Sequence, residues 1–172
     1  LRMIEEKEQH VRAVLPALQA IFTQAQETHP TVRYYFGVAG VKQVYEETLS
    51  TKTKTLHAVL SMHDLYAFLG KRWMESYVKK RIEKGITLYV IRPLEKEVEF
   101  AWPSSKEEKR FLRYAPKGFS FPLNMYLADE TVYILGTKKE PFGMIISSPD
   151  FCAMMKSFFD ITWEVSIPKK QE

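Results

Sequence analysis

The stretch Phe121-Pro-Leu-Asn-Met-Tyr-Leu-Ala-Asp-Glu-Thr-Val-Tyr-Ile-Leu-Gly-Thr137 limits what this chain can fold into more than any other. Two apolar runs flank Asp129-Glu130, a dipeptide suited to a tight turn because a short acidic side chain can bond back to its own backbone. The runs are rich in Leu, Tyr, Val and Ile, and each is only strand-long, so 122–135 reads as a β-hairpin. A hairpin so apolar needs strands beside it and helices over it.

The preceding sequence supplies both. Val32 to Phe36 is a strand of aromatic and β-branched residues, and Gly40 to Leu49 is a helix with Val41, Val44, Tyr45 and Leu49 on one face. Thr55 to Ser61 is a short apolar strand. Leu65 to Lys84 reads as one long helix, with Leu65, Phe68, Leu69, Trp73, Tyr77 and Ile82 as its buried stripe and Gly85 as its stop. Ile86 to Ile91 is the next strand. Strands alternating with helices at these lengths predict parallel pairing and an α/β class.

Residues 93 to 110 are charged and read as a loop with a short helix, Ser105 to Phe111. Leu112-Arg-Tyr114 comes next. The two hairpin strands and Pro141-Phe-Gly-Met-Ile-Ile-Ser147 then form an antiparallel meander. Asp150 is the expected N-cap of a final helix, Phe151 to Glu164, whose Met155, Phe158, Phe159 and Trp163 make an apolar face. Residues 167–172 are a tail.

At the other end, residues 1 to 26 read as a helix. Ile4, Val11, Leu18 and Ala25 recur every seven residues, and Val14 and Ile21 fill intermediate positions, with Pro16 as a kink. The segment is either a linker helix that dimerises through Ile4, Val11, Val14, Leu18 and Ile21 or an amphipathic helix packed on its own domain. The chain starts at Leu1, in mid-pattern, which suggests a piece of a longer protein. The expected organisation is a linker helix over 1–29, one domain over 30–166, and the tail.

Composition narrows the function classes. The formal charge is +4, and much of the basic charge lies between Lys71 and Lys84. That distribution reads as a solvated helix face; a nucleic-acid footprint clusters Lys and Arg more densely. The single cysteine, Cys152, excludes an internal disulfide, and its apolar helical neighbours predict buried packing. No apolar run approaches the ~18 residues of a membrane span, and no signal peptide is visible. A cytoplasmic protein without membrane contact is expected.

Familiar chemistry is missing. There is no P-loop and no GxGxxG, and Arg33-Tyr-Tyr-Phe-Gly-Val-Ala-Gly40 has the wrong spacing for a dinucleotide fingerprint. His10, His29, His57 and His63 are scattered without a ligand pattern, so neither metal nor cofactor is expected. No GxSxG elbow marks a nucleophile. Ligands of open α/β sheets gather at the carboxyl ends of the parallel strands. Those ends supply Tyr35, Ser61, His63, Asp64 and Arg92, and the hairpin adds Asn124. His63 and Asp64 serve either a ligand or the turn and helix cap. Arg92 serves either an anionic ligand or a surface ion pair with Glu95 or Glu97.

The hairpin also resembles a phospholipase-D-type catalytic strand. Such a strand carries His, then Lys two residues on, then Asp five further, with glycine and a small hydroxyl residue after a second apolar strand. Counted back from Asp129, this chain has Pro122 in place of the histidine and Asn124 in place of the lysine, while Gly136-Thr137 fits. Pro122 cannot attack phosphorus and Asn124 carries no charge, so the covalent step lacks its nucleophile.

An ordered series of short segments extends the likeness: Arg33-Tyr-Tyr-Phe-Gly, Val44-Tyr-Glu-Glu-Thr, Tyr77-Val-Lys-Lys-Arg-Ile-Glu-Lys-Gly-Ile, Asn124-Met-Tyr, Phe142-Gly-Met-Ile-Ile-Ser and Phe158-Phe-Asp-Ile-Thr-Trp163. From 30 to 165 the chain resembles the C-terminal effector domain of TrmB-like transcriptional regulators, and the helix before it resembles their linker. Phe36 departs from the acidic residue expected there. The resemblance implies a phospholipase-D-like mixed sheet flanked by helices, without catalytic residues. It further implies a homodimer, a small-molecule effector (a sugar or phosphorylated metabolite), and DNA reached only through a winged-helix domain upstream of this segment. The alternatives are a residual phosphodiesterase of that fold and a dimerisation module without ligand.

Overall fold

A computed structural model describes residues 30–94, 107–138 and 141–168, together with Pro16. The chain divides into two compact units, Leu1–Thr31 and Val32–Glu172, and the second carries the sheet and its helices. The seam positions Ile4, Val11, Val14, Leu18 and Ile21 lie outside the described residues, as do Glu95 and Glu97.

The elements run β1 (Thr31–Phe36), α1 (Gly37–Thr48), β2 (Thr55–Val59), α2 (Met62–Leu69), α3 (Lys71–Glu83), β3 (Thr87–Pro93), β4 (Arg110–Ala115), β5 (Asn124–Ala128), β6 (Thr131–Gly136), β7 (Phe142–Ser147), α4 (Pro149–Val165) and β8 (Ile167–Pro168). They build one eight-stranded sheet in the order β1-β7-β6-β5-β2-β3-β4-β8. β2, β3 and β4 are parallel. β5, β6 and β7 form the antiparallel meander and join β2 through β5. The mixed α/β sheet flanked by helices is therefore as the sequence predicts. The placing of β1 is not: the meander separates it from β2 and leaves it at the far edge.

The two faces carry different cores. Alternate residues of β2–β6 point toward α1, α2 and α3, where Val41, Val44, Leu56, Ala58, Leu65, Met74, Val90 and Leu135 pack. Tyr45, Tyr77 and Tyr126 sit in this layer with their rings edge to face. Their hydroxyls are matched: Tyr126 donates to Tyr45 at 3.2 Å, and Tyr77 shares a 2.7 Å bond with Thr48. Burying a hydroxyl without a partner costs about 1–3 kcal/mol, so this pairing lets the layer hold three phenols. On the other face, among the described residues, α4 covers the sheet, pressing Cys152 and Phe159 against Val59, Ile91, Leu127 and Val132.

Several local expectations are corrected. The long helix over 65–84 is broken at Gly70, whose φ of +83° is open to glycine and strained for other residues. Periodicity alone does not reveal this, because the apolar stripe resumes on α3. The buried face of α3 is Met74, Tyr77 and Arg81, while Ile82 is only half-buried. No helix includes Arg110 and Phe111, which belong to β4. The final helix is capped by Ser148, whose Oγ accepts the Phe151 N–H at 3.3 Å. Pro149 takes the first turn, where its missing N–H costs nothing, and Asp150 sits next to it inside the helix. Among the described residues no helix is long and apolar enough to cross a membrane.

Candidate functional site

β5 runs antiparallel to β2 with Met125 opposite Val59, so Asn124 arrives at the carboxyl end of β2. It is buried, and its Oδ1 accepts the Ser61 N–H at 2.9 Å. Ser61 in turn caps α2, its Oγ accepting the Asp64 N–H at 3.3 Å. Four of the residues singled out from sequence thus form one chain. Asn124 holds Ser61, Ser61 holds the Asp64 backbone, and the Asp64 carboxylate lies 3.3 Å from His63 Nδ1 and 3.9 Å from Lys138 Nζ. His63 is exposed. Among the described residues the Asn124 amide nitrogen has no hydrogen-bond partner, which leaves two N–H donors on a short, fixed side chain.

Arg92 stands next door. The Leu60 N–H donates to the Ile91 carbonyl at 3.1 Å, which places the end of β3 against the end of β2. Arg92 is 2% exposed, so it is no surface residue. It shares the helical face of the sheet with Val90, opposite Tyr114 of β4. Tyr35 stands apart from these groups. β1 lies beyond the meander, and the Tyr35 hydroxyl donates to Glu47 at 3.1 Å and accepts from Arg33 at 3.0 Å.

Two further buried guanidiniums escape sequence reasoning. Arg81 donates to the carbonyls of Ile86, Lys109 and Glu108, tying α3 to the starts of β3 and β4. Arg110 pairs with Glu108. Burial lowers the Arg110 pKa to about 10, and the like charge of Arg92 adds to that, with Glu108 opposing. Tyr66 of α2 lies in the field of both Arg92 and Arg110, while burial is the main reason its pKa rises. On this face the Arg92 and Arg110 guanidiniums are thus close enough to feel each other's charge, with Glu108 offsetting part of it. The signals that could reveal these residues are Arg81 lying four residues past Tyr77, on the buried stripe, and the alternation of Arg110 with Leu112 and Tyr114.

The rest of the hairpin has separate duties. Asp129 occupies the opposite end of the sheet, in a left-handed turn conformation with φ of +53°. Its carboxylate accepts the backbone N–H of Lys52 at 2.9 Å and of Thr53 at 3.0 Å, and the Thr51 hydroxyl at 3.2 Å. Burial works against its charge, but these bonds prevail and lower its pKa. Pro122 is exposed and offers no nucleophile.

Two cavities among the described residues are not lined by Asn124. One of about 420 Å³ is at the amino end of β2, lined by Thr53, His57, Asp129, Cys152 and Lys156 among others. Its polar groups are largely engaged: Asp129 with the loop before β2, Lys156 with Asp160 at 2.7 Å, and Cys152, whose thiol donates to the Asp129 and Thr131 carbonyls. A second, about 290 Å³ and mostly apolar, opens beside Pro122, Met125 and Phe158. Hydrogen-bonding chemistry favours the carboxyl end over the larger void.

No protein-family model matches the chain, and no curated protein does. Solved structures do. Nuc of Salmonella typhimurium, a phospholipase D family member, superposes with a TM-score of 0.59 at 14% identity, over 83% of this chain and 100% of its own. The fold is phospholipase-D-like. NucT from Helicobacter pylori superposes at 0.58 and 8% identity, over 82% of this chain and 100% of its own. TrmBL2, described as an archaeal chromatin protein with a novel mode of DNA binding, aligns over 96% of this chain and 66% of its own, with a TM-score of 0.55 at 16% identity. At such identities the likeness is one of fold.

Proposed function

We propose that this chain is a non-catalytic regulatory domain that binds a small molecule at the carboxyl end of β2 and β3 and works as a homodimer. The observation that carries the reading is the state of Asn124. It stands where the resemblance puts a catalytic lysine, is buried, and is hydrogen-bonded to the backbone of Ser61. With Pro122 at the nucleophile's position, the strand keeps its place in the fold without the groups for covalent phosphodiester chemistry. The Asn124 amide and the Arg92 charge suit a sugar or a phosphorylated metabolite, the first through hydrogen bonds and the second through a guanidinium.

The likeness to TrmBL2 supports a regulatory role in which DNA is reached through a domain joined to the N-terminal segment. The basic helix α3 suits solvent better than DNA: Lys71 pairs with Glu75 at 3.8 Å, Lys79 with Glu83 at 3.9 Å and Lys80 with Glu46 at 2.7 Å. A thermal-shift screen against sugars, sugar phosphates and nucleotides tests the proposal. A ligand at a hundred times its Kd stabilises by about 2.7 kcal/mol. A flat screen at millimolar ligand removes the sensing function.

A second reading, a phosphodiesterase with a different constellation, is favoured by the likeness to the enzyme-family member Nuc. Hydrolysis of a chromogenic phosphodiester that is lost in Arg92→Ala or His63→Ala would establish it.

A further inference from the structure

We infer that the dimer half of that reading is built on β1, as an antiparallel β1–β1 pairing between two copies about a two-fold axis at Tyr34. β1 is six residues long and forms one edge of the sheet. Edge strands usually carry unopposed charge, proline or a bulge, because a free row of backbone groups invites another strand. Pro30 lies just before β1, but from Thr31 to Phe36 the strand has neither proline nor unopposed charge. Its only charged residue is Arg33, whose guanidinium is tied back to Glu47 by bonds of 2.6 and 3.1 Å. The opposite edge differs: β8 has two residues and ends in Pro168.

This asymmetry decides the kind of partner. An edge that can pair only with its own kind gives an isologous, closed dimer, whereas two usable edges would give a filament. Side chains agree. Tyr35 and Arg33 face α1, so Val32, Tyr34 and Phe36 face the other way, and they are 62%, 45% and 81% exposed. Tyr34 stacks on Phe142 at 5.4 Å, and Phe36 meets Tyr34 edge to face at 4.7 Å. The Phe142 ring is set by Gly136 opposite it, where an added Cβ would stand 2.5 Å from the ring. The apolar face is therefore held in position before any partner arrives.

Centring the axis on Tyr34 sets Val32 of one copy against Phe36 of the other, an apolar cross-strand pair. On the α1 face, Arg33 of each copy meets the Tyr35–Glu47 pair of the other. Arg33 and Glu47 are partly exposed, 48% and 29%, so they remain open to this second partner. The charges complement one another across the axis, and no like charges oppose.

The experiment combines the mass of the full chain in solution with oxidative crosslinking. The Tyr34→Cys chain is expected to crosslink to itself, because that position meets its own copy on the axis, and Phe36→Cys is not. A mixture of Val32→Cys and Phe36→Cys chains is expected to crosslink. Val32→Lys with Phe36→Lys puts like charges opposite each other and is expected to weaken the dimer on the order of 100-fold. A dimer that survives this double substitution and does not crosslink at position 34 overturns the β1 interface while leaving ligand sensing untouched. So does a dimer dissociated by Phe158→Lys on the exposed face of α4. A monomeric chain overturns the interface and the dimer half together. The thermal-shift screen then decides sensing separately.

Discussion

The two ends of the sheet are built from the same kinds of residue and do opposite things. At the amino end, charged side chains are engaged in holding loops. Arg81 donates to three backbone carbonyls, and Asp129 accepts from three residues of the loop before β2. At the carboxyl end, a short polar strut holds the backbone, Asn124 accepting from Ser61 and the Ser61 hydroxyl from Asp64. Around it stand donors with capacity to spare: the Asn124 amide, the exposed His63 and Lys138. A polar group satisfied inside the protein is scaffold; one fixed in place with valence left over is available to a ligand. The hairpin spans both ends, which is why one motif contains a structural aspartate and a candidate binding asparagine five residues apart.

Substitutions can break this contrast. The largest effect is expected for Arg81→Ala, which removes the donors to the buried Ile86 carbonyl and to the part-buried Glu108 carbonyl, while the Lys109 carbonyl keeps the Leu88 N–H, and should cost about 3 kcal/mol in urea unfolding. Ligand-induced stabilisation should survive in this variant. Asn124→Leu is next. It leaves the Ser61 N–H buried without an acceptor, at about 2 kcal/mol, and should also abolish the ligand-induced thermal shift. Loss of stability with the shift retained would make Asn124 a strut only, and the two ends would then be alike.

Asp129→Ala loses three hydrogen bonds at an exposed site and forces alanine into φ > 0, for about 2 kcal/mol. Asp129→Gly removes only the hydrogen bonds, and should cost about 1 kcal/mol. Equal losses would show that the carboxylate, and not the turn, carries the effect. His63→Ala should change stability by less than about 0.5 kcal/mol, because the side chain is exposed. Its effect should appear in ligand affinity alone.

Acid should probe the amino end without mutation. His57 is half-buried beside Tyr89 and Phe159, and burial, aided by Lys156, lowers its pKa from 6.5 to about 4. The unfolded chain therefore binds a proton that the folded one does not, and stability falls as pH drops from about 6.5 to about 4. Asp129 has a lowered pKa, so its contribution, present above the ordinary carboxylate value of 3.8, is lost below that range. His57→Phe should flatten the first decline in thermal-melt midpoints and leave the second.

Much of the architecture can be read from residues. The hairpin, the meander, the face of α1 and the burial of Cys152 come from patterns that each element carries within itself. The misplaced features depend on distant partners. Gly70 reads as an ordinary helical residue until its φ is known. Arg81 and Arg110 read as solvated because nothing local says that carbonyls of another loop or a glutamate will meet them. Arg92 reads as either an anion-binding residue or a surface ion pair, and nothing local announces its burial.

The class of fold, the lack of the covalent phosphodiester residues at 122 and 124, and the set of groups at the strand ends are all properties of the residue string. Which of those groups meet is a tertiary matter. Folding joins Ser61, Asp64, His63 and Asn124, buries Arg92 beside them, and sends Tyr35 to the far edge with β1. Periodicity is a property of neighbours along the chain. Strand order and hydrogen-bond partnership are set by how β5 and β3 dock on β2, and that depends on packing the two cores together.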